Sequence, residues 1–466
     1  MKTILRKLSN TPLISLLFFS LLFIFPIQQR MTKWLKPLSK VAFHNQSLPS
    51  YFRENRLDCF LTDFFLLAII IIAMRTLRGV TLSRSQKLLV GFASFCLLSI
   101  FFSTCSKEIW PYFRWLQLVL PIAASVMIGK TVSTKEGITI CFWILFWSAS
   151  LQCFVAIGQY FMQHSIGLKY LGEAKIRMGE AAQLLVPSKT RWFFDRLLHH
   201  QTNSVALIRP SGTFPHPNIL GGFLGMTLFA SAYLFASEKL SKRKAFIAGG
   251  IALQVFSLFL TFSRGALFGL IGGALFLLIL LTLHSYKKIA LQLFLVILAS
   301  GVLSTALLHE QLAHRGGVFT YNKLVKESDN ARLYFQNLAL SIAKQRPLLG
   351  AGYGQFLLEV EPKNETGHVQ KVHNIYLLIL SETGILGLLA FGGFCLTLLF
   401  TAWKRGIDLR RAVLLTIFVY FLWIGCVDHY LITTQHGAIM FFFMAGLLSS
   451  YGDEHREKRS LQIQAS

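Results

Sequence analysis

Long apolar stretches recur along nearly the whole of this 466-residue chain, and they constrain it more than any other feature. A helix crosses a bilayer with roughly 20 mostly apolar residues, because each backbone polar group must find its partner inside the segment. Twelve stretches meet or approach that length, at residues 11–27, 57–74, 88–103, 109–129, 137–162, 218–237, 245–262, 265–284, 289–308, 375–401, 412–430 and 437–451. The third and the last are short. Composition agrees: 54% of the residues are apolar and 14% charged, where a soluble domain carries about 25% charged. A soluble enzyme, a disordered chain and a disulfide-stapled secreted domain are thereby excluded. The expectation is an all-α polytopic integral membrane protein of about twelve transmembrane helices, with residues 1–466 forming one membrane domain.

The net charge of +25 would suggest nucleic acid in a soluble chain. Here the basic residues sit mostly in short loops, which fits the positive-inside rule and implies no nucleic-acid partner. Lys239, Lys242, Arg243 and Lys244 follow the sixth stretch, Lys287 and Lys288 the eighth, and Lys404, Arg405, Arg410 and Arg411 the tenth. These loops alternate onto one side, together with Arg75, Arg78, Arg84, Lys87 and both termini, so that side is expected to be cytoplasmic. Residues 28–56 fall on the other side yet hold Arg30, Lys33, Lys36, Lys40, Arg53 and Arg56, interleaved with Trp34, Leu35, Leu38, Val41 and Phe43. That pattern reads as an interfacial helix on anionic lipid. The first stretch has the basic flank of a signal peptide but no small-residue cleavage site, so it reads as an anchor.

The two longest loops, 163–217 and 309–374, fall outside. The second predicts a helix over 331–344, with Asp329 as its N-cap and Pro347 and Gly350 ending it. No internal repeat stands out. The seven cysteines show neither C-x-x-C nor zinc spacing and read as packing residues.

Four segments could carry chemistry. RPSGTFPHPNILGG at 209–222 is stiffened by Pro210, Pro215 and Pro217, with Asn218 a candidate helix cap, and holds Arg209 and His216 just outside the membrane. FSRGA at 262–266 puts Arg264 at the outer membrane edge, either as an arginine reaching lipid phosphate or as an anion site. PLLGAGYGQF at 347–356 could aim backbone N–H groups at a phosphate or sugar, although a Gly-rich loop is more often a tight turn. The segment 372–391 opens on His373 and Asn374 and carries Glu382 two turns into a span, where an outer-edge arginine could be its partner. Histidine suits proton transfer near neutral pH, with an ordinary pKa of about 6.5. Asp428 and His429 end the eleventh stretch on the same outer side. Asp63 and Arg114 are further charges in or near spans, paired with each other or facing a cavity. A cationic, histidine-bearing outer face suits a lipid-linked anionic substrate, since the planar arginine fork binds two phosphate oxygens.

At these segments the chain resembles the O-antigen ligase family, with its relatives the O-antigen polymerases and bacterial O-oligosaccharyltransferases. The matching pieces are R-x-x-G-T-F-x-H-P-N at 209–218, S-R-G-A at 263–266, P-L-L-G-x-G-x-x-x-F at 347–356 and H-N-x-Y-L-x-x-L-x-E-x-G-I-x-G-L at 373–388. They cover roughly 209–391, and the first 200 residues match no motif. The resemblance implies a GT-C-like membrane glycosyltransferase of the inner membrane. Such an enzyme moves a glycan from undecaprenyl pyrophosphate, at the periplasmic face, to an acceptor hydroxyl on lipid A–core, without metal, nucleotide or other cofactor. It implies a catalytic role for His373, pyrophosphate binding by Arg264 and Arg209, and support from His216, Asn374, Glu382 and Asp428. A polymerase extending a growing lipid-linked glycan, or protein O-glycosylation, is the alternative within the family. A transporter or flippase of lipid-linked sugars is the alternative of another class, although no repeat or midplane charge supports it.

Overall fold

The computed structural model describes residues 13–27, 59–76, 82–132, 134–173, 183–187, 204–316, 323–360 and 369–451. Helices α1 (Leu13–Ile24), α2 (Leu61–Thr76), α3 (Arg84–Phe101), α4 (Ile109–Thr131) and α5 (Lys135–Met162) precede a hairpin of β1 (Gln183–Pro187) and β2 (Ser204–Ile208). Then follow α6 (Pro217–Ser237), α7 (Ser241–Leu260), α8 (Arg264–Leu283), α9 (Lys287–Gly316), α10 (Lys323–Gln345) and the short α11 (Phe356–Val360). Helices α12 (Ile375–Lys404), α13 (Leu409–Val427), the one-turn α14 (Tyr430–Thr433) and α15 (Gln435–Ser450) complete the described fold.

Each of the twelve apolar stretches contains a helix. Among the described residues eight helices are long and apolar enough to cross a membrane: α3, α5, α6, α7, α8, α9, α12 and α13. Helix α1 has 12 residues and α2 and α15 have 16 each. At 1.5 Å per residue these fall short of a hydrocarbon layer about 30 Å thick. The expected interfacial helix at 28–56 lies outside the described residues.

Helix α6 forms the axis of the bundle, with nearly every residue from Pro217 to Phe235 buried. Helices α5, α7, α8 and α13 surround it, while α12 packs on α3 and α15 on α4. An apolar sequence on every face suits such a position. Phe441 of α15 lies at the centre of an aromatic cluster with Phe391, Phe394, Phe418 and Phe421.

Three expectations are corrected. The loop 163–217 contains the antiparallel β1–β2 pair, with Gln183 opposite Ile208, so the fold is nearly rather than wholly α. The helix expected over 331–344 starts at Lys323, so Asp329 lies inside α10 and caps nothing. Residues 323–328 include Lys, Leu and Glu, good helix formers that carry the helix back past Asp329. Finally, α6 is capped by His216, whose Nδ1 accepts the Asn218 N–H at 3.1 Å, and not by Asn218.

Candidate active site

Two glutamines inside the bundle hold the segment that leads into α6. Gln159 of α5 accepts the N–H groups of Ser211 (3.1 Å) and Gly212 (2.9 Å) and donates to the Gly212 carbonyl at 2.8 Å. Two turns earlier on the same face of α5, Gln152 accepts from Thr213 N–H at 2.9 Å and donates to its hydroxyl at 2.9 Å. A segment rich in proline cannot satisfy its own backbone groups, so these side chains take the place of a ladder. Gly212 turns with φ +61°, a conformation that disfavours other residues. The result fixes Arg209, only 6% exposed.

Arg209 donates from Nε to the Thr261 carbonyl (2.8 Å) and from Nη2 to Asn218 Oδ1 (2.7 Å). Asn218 in turn donates from Nδ2 to Asp428 Oδ2 at 2.8 Å. The Thr261 carbonyl is presented by the turn between α7 and α8, where the buried Phe262 adopts φ +47°. The next carbonyl, that of Phe262, accepts from Arg315 Nε at 3.2 Å. A non-glycine residue in this left-handed region costs about 1–3 kcal/mol, a cost often found at functional sites. Here the turn aims successive carbonyls at two arginines and starts α8 at Arg264.

Arg264, Arg315 and Arg332 line one cavity with Asn218, Asp428 and Tyr430. Burial and the neighbouring Arg315, Arg332 and Arg264 work against the charge on Arg209, while Asp428 favours it. Among the described residues, the Tyr430 hydroxyl and the Arg332 Nε are buried without a hydrogen-bond partner. Buried polar atoms are rarely left so, and both adjoin the cavity. Only a glycine at 222 leaves room for that hydroxyl, since a Cβ there would overlap it.

On the far side of Asp428 stands His373, just before α12. Its Nδ1 lies 3.4 Å from Asp428 Oδ1, and its ring centroid lies 5.1 Å from that of His429. His429 donates its backbone N–H to Asp428 Oδ1 at 2.8 Å, and its Nδ1 lies 2.7 Å from Thr433 Oγ1. Burial opposes the charge on Asp428, but His373, His429 and His216 together outweigh it and hold the carboxyl well below its ordinary range. Burial pushes His429 down to about 3. Burial, then Arg209, pushes His216 down to about 4. Both are therefore neutral at physiological pH. His373, Asp428 and His429 offer ligand atoms within 4.8 Å of one another, a spacing a metal ion could use. Added positive charge is opposed there, because Asn218 and the His429 N–H already occupy the carboxylate and three arginines adjoin it.

Asn374 caps α12 by accepting from Tyr376 N–H (2.9 Å) and Leu377 N–H (3.0 Å), and its amide donates to the Cys426 carbonyl at 3.1 Å. It thus ties His373 to the end of α13. Glu382 has no arginine partner among the described contacts. It accepts from Gly354 N–H (2.9 Å) and Phe356 N–H (3.2 Å), so the Gly-rich segment is a tight turn docked on α12. The α12 helix breaks at Gly384 (φ +66°), and Ile385 N–H there donates to the Pro347 carbonyl at 2.8 Å. Asp63 pairs with Gln435 and the Phe60 N–H rather than with Arg114.

The structure therefore brings together Arg209, Arg264, His216, His373, Asn374 and Asp428, and assigns Glu382 to a neighbouring turn. Sequence reasoning missed Arg315, Arg332, Gln152, Gln159 and Tyr430. A signal for the glutamines was present, since two polar residues seven apart share one face of an otherwise apolar helix.

Buried polar groups gathered at one end of a bundle of apolar helices define a membrane-embedded protein with a cationic, histidine-bearing site. Residues 249–392 match the family model described as O-antigen ligase, which supports an assignment to that family. The comparison with curated proteins gives no match. The family implies ligase- or polymerase-type glycosyl transfer, with a lipid-linked glycan and an acceptor as substrates. The matched segment contains Arg264, Arg315, Arg332 and His373, while Arg209 and Asp428 flank it.

Proposed function

We propose that the protein moves a glycan from undecaprenyl pyrophosphate to an acceptor hydroxyl, on lipid A–core, at the periplasmic face of the inner membrane. The observation that carries this reading is the junction of a three-arginine cavity with the His373–Asp428 pair.

His373 turns Nδ1 toward Asp428, which favours the tautomer with the proton on Nδ1 and leaves the lone pair on Nε2. Nε2 then accepts the acceptor's proton as its oxygen attacks the anomeric carbon. The bond from that carbon to the pyrophosphate oxygen breaks, and undecaprenyl pyrophosphate leaves with the electron pair. Asp428 steadies the imidazolium so formed, a role that needs its charge at neutral pH. The 3.4 Å contact is longer than a working hydrogen bond, as is common before substrate binds. Charge gathering on the leaving group meets the guanidiniums of Arg264, Arg315 and Arg332, which line the cavity. Arg209, whose Nε and Nη2 are already engaged, acts from behind through Asn218.

Membranes containing the protein, given lipid-linked glycan, test the reading by where the glycan goes. Label appearing on lipid A–core supports the ligase. Longer lipid-linked chains without acceptor labelling would instead make it a polymerase, and label on protein an O-glycosylating enzyme. Absence of any transfer in detergent, with flux across sealed vesicles, would make it a transporter.

A further inference from the structure

The guanidinium of Arg264 is already engaged. Its Nη1 donates to Asp329 Oδ2 at 3.1 Å, and its Nη2 donates to Asp329 Oδ1, making a two-pronged pair. The two residues are 65 positions apart, so this contact joins α8 to α10. Asp329 stands one helical turn before Arg332, hence on the same face of α10. Arg332 lines the cavity with Arg264 and Arg315, whereas Asp329 does not. The Asp329 side chain is 46% exposed, against 26% for Arg264. One carboxylate thus holds the fork of Arg264 from the solvent side while three guanidiniums face the cavity. Burial disfavours the charge on Asp329, but Arg264, with Arg332 and Arg315, holds its carboxyl below the ordinary range.

Building on the pyrophosphate reading above, we propose that Asp329 is a resident counter-ion on Arg264, which the pyrophosphate of the donor displaces and which returns as the product leaves. The exchange is balanced in kind: Arg264 trades a two-oxygen carboxylate for two phosphate oxygens. The released carboxylate, already half in water, loses little, because exposed ion pairs contribute little. The return step answers a problem that the chemistry creates. When the sugar departs, the lipid pyrophosphate changes from a diester to a monoester and gains a terminal oxygen that can ionise. Three arginines would then hold the product more tightly than the substrate. A tethered carboxylate competing for Arg264 weakens both states and keeps the product releasable. Its cost is a reduced apparent affinity for the donor, in proportion to the fraction of molecules in which the pair is open.

Binding of farnesyl diphosphate to the full-length protein in detergent tests this without a glycan. Asp329→Asn and Asp329→Ala should each bind the probe about tenfold more tightly than the wild type, if about a tenth of molecules have the pair open. The gain should vanish when either change is made in an Arg264→Ala background, because the counter-ion then has nothing to cover. Unchanged or weaker binding by the Asp329 variants would overturn the proposal and make Asp329 a positioning residue for Arg264. A gain that persists without Arg264 would overturn it too, since that is a general charge effect. Equal binding of the probe by wild type and Arg264→Ala would signal a different failure, that of the pyrophosphate reading itself.

Discussion

At position 264 the fork matters as much as the charge. Arg264 uses two nitrogens on one carboxylate, a geometry that a lysine ammonium cannot reproduce. Arg264→Lys should therefore lose about 10²-fold in a membrane glycan-transfer assay, nearly as much as Arg264→Ala. Full activity of the lysine variant would reduce Arg264 to a lipid-headgroup contact. At position 373, Ala and Gln should both lose roughly 10²-fold or more, since neither takes up the hydroxyl proton. The pH profile separates catalysis from positioning. His429 and His216 are held near 3 and 4, and Asp428 stays ionised, so none of the three changes charge between pH 5 and 8. If His373 is the base, any acid limb of the wild-type rate should be absent from His373→Gln. An acid limb surviving in His373→Gln would assign it to another group. Arg264 and His373 were legible in the sequence because each stands where an apolar run begins, a place where charge calls for explanation. Arg315 and Arg332 sit within ordinary helical sequence, and only the fold turns them toward the same cavity. Asp329 followed by Asn and Ala has the look of a cap, and its real partner lies too far along the chain for local pattern to reveal.

Among the elements, breaks matter more than regular turns. Helix α12 is interrupted at Gly384, whose φ of +66° and ψ of −168° suit glycine alone. An added Cβ would overlap the Leu348 backbone. Ala351 N–H and Gly352 N–H donate to the Ser381 and Glu382 carbonyls at 2.9 and 2.8 Å, so the Gly-rich turn completes the broken helix. Gly384→Ala should lower stability by about 1–3 kcal/mol, read as a drop in thermal midpoint in detergent. Gly392→Ala, with nothing near its Cβ position, should leave it unchanged. A small effect at 384 equal to that at 392 would mean that the break is not essential. Both glycines were visible as letters, but apolar periodicity runs straight through 375–401 and gives no hint of a break. The β1–β2 hairpin was equally hidden, since its five-residue strands are too short to show a pattern. The helices themselves were legible because a bilayer tolerates few alternatives for such stretches.

For the whole molecule, the distribution of basic loops predicts which side faces out. A cysteine at 344, near the end of α10, should react with a membrane-impermeant thiol reagent applied from the periplasmic side, in a background lacking the native cysteines. A cysteine at 242 should react only from the cytoplasmic side. Labelling of both from one side would overturn the topology. Membrane character was readable at this scale from composition alone, whereas the burial of α6 on all faces required its neighbours to be known. That burial bears on how the molecule is made. Asn218, at the head of α6, bonds Asp428, which lies 210 residues later. A chain still emerging from the ribosome has synthesised its arginines and the central helix long before the carboxylate that completes the histidine pair. An unfinished copy that stops short of residue 428 accordingly lacks both the partner of His373 and the bond that holds the head of α6.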